Sequence, residues 1–238
     1  MSLPEALSDR VLDRLLAATG LTPSADTALT SSMSPAPVGR LRTFGAPPGD
    51  VANGPAQDVA KVVAVSLVVP AIGLDTHMIF AFTRPDSAVP HFTLDAVASA
   101  DFHAMHLDLI PRMELAPHLA YLDTCFEPLT ALLEAAWEID GLSPAAIGPR
   151  QRAIMSPWML VCRATEPAFG KLGPTVDAYL GHWLDLLGRD VPAGTGLAAR
   201  DAAVRANLFS PDVDPVWHQV TRLLGAEQAE LVRGELLS

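Results

Sequence analysis

Between Val59 and Leu109 the chain passes through four short apolar runs, VAKVVAVSLVV, THMIFAFT, HFTLDAV and FHAMHLDL. Only PAIGLD, RPDSAV and ASAD separate them. Parallel neighbours need a connection of roughly a dozen residues or more, so these runs are predicted to be consecutive antiparallel strands, a meander. Helical signals surround it. Leu7, Val11, Leu12, Leu15 and Leu16 recur at helical spacing, which predicts an amphipathic helix over about 4–18 that Gly20 ends. Further helical stretches are expected over about 117–138 (interrupted near Pro128), about 165–187, and after Pro215. IMSPWMLVCRA reads as a strand between the first two of these. Residues 21–57, rich in Ser, Thr, Pro and Gly, read as a long loop with one short strand around Leu41–Phe44. Strands flanked by helices imply an α/β fold, an antiparallel sheet covered by helices. No internal repeat is visible, and residues 1–238 read as a single domain.

Composition removes several classes of function. Half of the 238 residues are apolar and 18% are charged, enough to bury a large core and too little charge for a disordered chain. The net charge is −11, with 16 basic residues scattered among 27 acidic ones, so no basic face is offered to nucleic-acid phosphates. Two cysteines, Cys125 and Cys162, provide neither a disulfide framework nor a multi-thiolate metal site, and they read as small buried hydrophobes. The start, MSLPEALSDRVLDRLLAATG, lacks the basic and apolar regions of a signal peptide. No stretch approaches ~18 uninterrupted apolar residues, so a membrane span is not expected and the expected location is cytoplasmic.

Familiar site motifs are missing. There is no Gly-rich phosphate loop, no GxGxxG after a strand and no GxSxG elbow. His103, His106 and Asp108 look like a ligand set at first sight. On a strand, however, His106 and Asp108 share one face while His103 points the other way, which is a poor metal site. The chemistry is therefore expected to rest on Asp and His side chains.

Pro90-His91-Phe92-Thr93-Leu94-Asp95 resembles the strand of ferredoxin-dependent bilin reductases that opens with Pro and Phe and ends in an Asp facing the pigment. HAMHLDLIPRMELAPHLAYLDTCFEPL is similar to that family's next strand, its Asp-Leu-x-x-Arg turn and the following helix. MSPWMLVCR is similar to a later strand ending in Arg, and SPDVDPVWHQVTRLLGAEQAELVRGELL to the terminal pattern of acidic Asp-Pro turn, helix, Gly break and final helix. The resemblance extends in order from about residue 59 to the C-terminus, and residues 1–58 carry none of it. It takes in the red chlorophyll catabolite reductases of the same superfamily, which have a Glu in place of Asp95.

The resemblance implies an α/β/α three-layer sandwich, with a mainly antiparallel sheet between helices on both faces. It implies reduction of an open-chain tetrapyrrole such as biliverdin by electrons from reduced ferredoxin, with no bound cofactor, in a monomer or weak dimer. It places catalytic roles on Asp95, on Asp214 in Val213-Asp214-Pro215, and on His77 as hydrogen-bond partner of Asp95. One branch of the family has a further Glu where Val65 and Ser66 stand here. A chlorophyll catabolite as substrate, and a tetrapyrrole-binding protein without redox activity, remain open beside the leading reading.

These roles are chemically reasonable. Strand alternation puts His91, Thr93, Asp95 and Val97 on one face and Phe92 and Leu94 on the other. A carboxyl buried against an apolar ring system loses the water that favours its charged form, so its pKa rises and it can donate a proton near neutrality. Arg163 and Arg152 are expected to hold substrate carboxylates, with Thr93 on the pocket wall. Each role has a bland alternative: Asp95 as a satisfied polar strand residue, Asp214 as a helix cap before Pro215, and Arg152 as solvated surface. Arg150, Arg152, Arg163 and Lys171 supply a docking patch for an acidic electron donor only if they converge.

Overall fold

The computed structural model describes residues 1–47 and 58–238. Helix α1 (Leu3–Thr19) opens with a capping box in which the Ser2 hydroxyl accepts the Glu5 N–H and Glu5 reaches back to Ser2. It ends at Gly20, whose φ of 68° is open to glycine without strain. Two long strands follow, β1 (Thr22–Ser31) and β2 (Ser34–Gly45). The meander is β3 (Val59–Val69), β4 (Leu74–Thr83), β5 (His91–Ala98) and β6 (His103–Ile110). Then come α2 (Leu119–Cys125), α3 (Thr130–Trp137), β7 (Leu142–Pro144), α4 (Pro149–Ile154) and β8 (Leu160–Ala164). The chain finishes with α5 (Glu166–Phe169), α6 (Gly173–Leu186), α7 (Leu197–Leu208), α8 (Val216–Leu224) and α9 (Ala226–Leu237).

The strands form one eight-stranded sheet in the order β1-β2-β3-β4-β5-β6-β8-β7, each neighbouring pair antiparallel. Alternation divides its side chains between two cores. Val62, Ile79, Phe92, Leu94, Leu107 and Cys162 meet α1, α2, α3 and α6 on one face. Val63, Val65, Phe80, Phe82 and Ile110 meet α7, α8 and α9 on the other. Helices thus cover both faces, as in the expected three-layer sandwich. Cys125 and Cys162 are buried free thiols. Among the described residues no helix is long and apolar enough to cross a membrane.

Several elements differ from the sequence expectation. Residues 22–45 form two full strands rather than a loop; the rest of that stretch, from 48 to 57, lies outside the described residues. IMSPWMLVCRA is a strand only over Leu160–Ala164, because Ile154 closes α4 and Ser156 folds back toward β6. The stretch 165–187 is broken at Gly170–Leu172 into α5 and α6.

Gly39 in β2 pairs with Leu67 and lies so close to β3 that an added Cβ meets the Ser66 carbonyl oxygen at 1.9 Å. That obstacle is backbone and cannot swing away. Gly39→Ala is expected to destabilise the protein by on the order of 1–3 kcal/mol through overpacking, read as a lower denaturation midpoint. An unchanged midpoint would mean that β2 stands further from β3.

Candidate functional site

Asp95 sits in the middle of β5, with Met78 of β4 as its register partner on one side and His106 of β6 on the other. Its even-numbered neighbours Phe92, Leu94 and Ala96 pack into the α1–α6 core, so Asp95 points toward α7–α9. There it reaches a cavity of about 300 Å³ between the sheet and α8. Val65, Leu67, Met78, Trp217, Val220 and Leu223 make its walls apolar, and Thr76 and Asp95 bring polar groups. This is the low end of the volume range of ligand pockets.

Burial pushes the Asp95 carboxyl up to about 6. The Thr76 hydroxyl, donating to Asp95 Oδ1 at 3.2 Å, opposes that rise, and nearby Asp214 adds to it by like-charge repulsion. Asp214 precedes α8, and its Oδ1 accepts the Val216 N–H at 3.0 Å. Burial raises its pKa as well, while the Val216 bond and Gln151 of α4 hold it down. Asp214 thus sits in the turn before α8, tied to the Val216 N–H, and its charge is felt at Asp95.

His77 does not join them. Its cross-strand partners are Ser66 and Ala96, and its neighbours Ile79 and Ala81 lie in the α1–α6 core, so it occupies the opposite face of the sheet from Asp95. There His77 Nε2 bonds Asp75 Oδ1 at 2.6 Å. The expected hydrogen bond from His77 to Asp95 is corrected accordingly: a one-residue offset in a strand moves a side chain across the sheet, and the position facing Asp95 on β4 belongs to Met78.

The remaining expected site residues are spread out. Thr93 is buried on the Asp95 face opposite Asp108 and does not line the cavity. Arg163 shares that face of the sheet through its place on β8, but its exposed guanidinium lies over the Phe102 ring at 4.3 Å. Arg152 is exposed at the end of α4 and is not among the cavity walls. Arg150 donates to the Asp212 carbonyl at 3.0 Å. Lys171, between α5 and α6, belongs to the opposite helix layer, so the four basic residues do not converge on one surface.

Sequence reasoning passed over two features of this face. His106, set aside with the weak metal set, is next to Asp95 across the ladder. Among the described residues no group of three His, Cys, Asp or Glu side chains is placed to hold a metal ion. Asp108 accepts the Ser156 N–H at 3.0 Å and the Ser156 hydroxyl at 2.5 Å, which ties β6 to the turn before β8. Burial raises Asp108 to about 7 against those bonds.

The second feature is a buried charge cluster further along the same face. The Thr83 N–H donates to His91 Nδ1 at 3.0 Å, which leaves the proton on Nε2 to donate to Asp201 Oδ1 at 2.7 Å. Arg112 and Arg205 flank Asp201 at 3.5 and 3.7 Å. None of these residues lines the cavity, and the cluster joins α7 to the sheet. A sequence gives little sign of it, since its members come from β4, β5, the turn after β6 and α7.

No family model matches the chain, and no curated protein matches it by sequence. Its fold is similar to that of a phytochromobilin synthase from tomato in complex with biliverdin, with a TM-score of 0.73 and 18% identity. The match covers 96% of this chain and 80% of that one.

Proposed function

We propose that this protein reduces an open-chain tetrapyrrole of the biliverdin type, holding the pigment between the sheet and α8 and protonating it from Asp95. One observation carries the reading: a half-buried carboxyl with its pKa raised to about 6 heads a largely apolar cavity. Such an acid keeps a useful fraction of its proton near neutrality and meets a ligand in a dry environment. The biliverdin complex of the similarly folded tomato synthase supports the choice of ligand class.

The chemistry balances without a group bound to the protein. Two electrons arrive singly from a reduced ferredoxin, the conjugated pigment accepts them, and two protons complete the reduction of one carbon–carbon double bond. Asp95 supplies one proton at the carbon it faces. Asp214, when ionised, helps keep Asp95 protonated by like-charge repulsion, and the second proton is drawn from solvent through the same pair of carboxyls. Arg150 and Arg152 flank Gln151, which approaches Asp214, so α4 is the element best placed to meet substrate carboxylates outside the cavity.

A second reading is a tetrapyrrole-binding protein without turnover. It is favoured by Met78, an apolar side chain in the β4 position facing Asp95, and by the scatter of Arg150, Arg152, Arg163 and Lys171, which form no single basic surface for an acidic electron donor. Anaerobic absorbance spectroscopy with biliverdin, purified protein and a ferredoxin-reducing system separates the two. Conversion of the bound-pigment spectrum to that of a reduced bilin is the expected result. Binding without conversion favours the carrier, or a chlorophyll catabolite as the true substrate. Absence of binding overturns the tetrapyrrole reading.

A further inference from the structure

Three buried side-chain nitrogens have no hydrogen-bond partner among the described residues: Arg112 Nε, Arg205 Nε and His106 Nε2. The two arginines use their other nitrogens in the Asp201 cluster and at the end of α9. His106 is different, because its Nε2 is buried without a partner although the residue as a whole is only half-buried. Leaving a buried polar atom unpaired costs about 1–3 kcal/mol. At this half-buried sheet position an apolar residue of the same shape would avoid that cost.

The place of His106 gives a reason. It pairs with Asp95 in the β5–β6 ladder, and directly opposite residues in such a ladder have Cβ atoms about 4.5–5.5 Å apart. Met105 and Leu107 on either side of it face the α1–α6 core, so the imidazole stands on the same side of the sheet as Asp95. The groups facing it there are known. Asp95 comes from β5, and Asp108, occupied by Ser156, lies two residues along β6. On β8 the opposite residue is Val161, with Arg163 diagonal to it, while from the helix layer Asp214, with Gln151 beside it, acts on Asp95. None of them bonds the ring.

We propose that His106 is a substrate-binding residue of this site, its Nε2 forming a hydrogen bond to the polar edge of the bound ligand beside the atom that Asp95 addresses. The assignment rests on the tetrapyrrole reading for its choice of ligand: the pyrrole and lactam N–H and C=O groups of such a pigment offer both donors and acceptors. Burial pushes the His106 pKa down to about 4, so the ring is neutral at physiological pH. A neutral imidazole has one donor and one acceptor nitrogen and no spare proton, which suits orientation and leaves proton delivery to Asp95. His106 is not among the cavity walls; it lies one strand beyond Asp95, toward β8.

Biliverdin titrations followed by absorbance, on the wild type, His106→Phe, His106→Gln and His77→Phe, test the proposal. Phe keeps the aromatic bulk and loses both nitrogens. His106→Phe is expected to weaken binding about tenfold, with partial recovery in His106→Gln. His77→Phe, altered on the other face of the sheet, is expected to bind as the wild type does. Wild-type affinity in His106→Phe overturns the proposal. If the wild type itself does not bind biliverdin, the tetrapyrrole reading fails, and the free protein then decides the place of His106. There His106→Phe should unfold at a midpoint equal to or above that of the wild type, since it removes an unpaired buried nitrogen. Nitrogen NMR should also find the ring neutral from about pH 5.5 to 8. A clearly lower midpoint, or titration near the ordinary ~6.5, would show a ring bonded within the fold or solvated, and would overturn the proposal without any ligand.

Discussion

Asp201→Ala is expected to cost about 3–5 kcal/mol of stability, the range for removing one partner of a buried ion pair. Asp201 is 6% exposed, and Arg112, at 1%, and Arg205, at 8%, would be left as buried cations facing a cavity. His91 would lose the acceptor of its Nε2–H in the same step. Chemical denaturation of the two proteins measures the effect, and a difference below about 1 kcal/mol would show that the cluster is solvated. The pH dependence has a definite sign. Burial would raise the Asp201 carboxyl, but the His91 hydrogen bond, followed by the charges of His91, Arg112 and Arg205, outweighs it and holds the group below its ordinary value of 3.8. Its contribution is therefore complete above pH 3.8 and lost as the pH falls through the lower folded value. The gap between wild type and variant should be constant at neutral pH and narrow only in strong acid. His91, pushed down to about 4 by burial, makes the wild type itself lose stability as the pH falls from 6.5 to that value, because the unfolded chain takes up its proton first.

Asp95→Asn is expected to bind pigment within a few-fold of wild type and to lower the rate of reduction about 10²–10⁴-fold, the usual contribution of a positioned acid. Asparagine keeps the shape and the Thr76 contact but has no acidic proton to give. Wild-type turnover should fall as the pH rises through about 6, where burial places the Asp95 midpoint, and the residual activity of the variant should lack that limb. Full activity in Asp95→Asn would remove it as the proton donor. Stability supplies an independent reading. A carboxyl with its pKa raised from 3.8 to about 6 penalises the folded state increasingly over that interval, and the penalty is complete above it. The variant escapes this, so it should be the more stable protein at pH 8 and gain nothing below pH 3.8.

Much of the site was legible from alternation alone. The apolar residues Phe92 and Leu94 fix which way β5 faces, so Asp95 had to lie on the side away from them. Asp214-Pro215 marked the start of α8 with a carboxyl fixed in place. The partner of Asp95 was not legible, because it depends on the register between strands. His77 looks right in the sequence and lies one residue off, whereas His106 stands opposite Asp95 from a different strand. Arg152 and Arg163 carry the right charge for substrate carboxylates, but their distance from the cavity follows from the placement of α4 and β8.

The same division applies to the fold. Apolar periodicity determines the meander β3–β6, helix α1 and the α8–Gly225–α9 ending, since each buries a continuous face that its own sequence spells out. Strands β1 and β2 leave little such trace: in β1 only Leu29 and Ser31 are buried, and β2 has Pro, Gly and Arg along its exposed part. They become strands because β3 offers an edge with unpaired backbone groups, and Ser31 bonds the Leu223 carbonyl at the end of α8. Local pattern fixed which segments hide an apolar face. Tertiary structure decided which polar side chains meet across the sheet, because those meetings rest on register and on contacts between residues far apart in the chain.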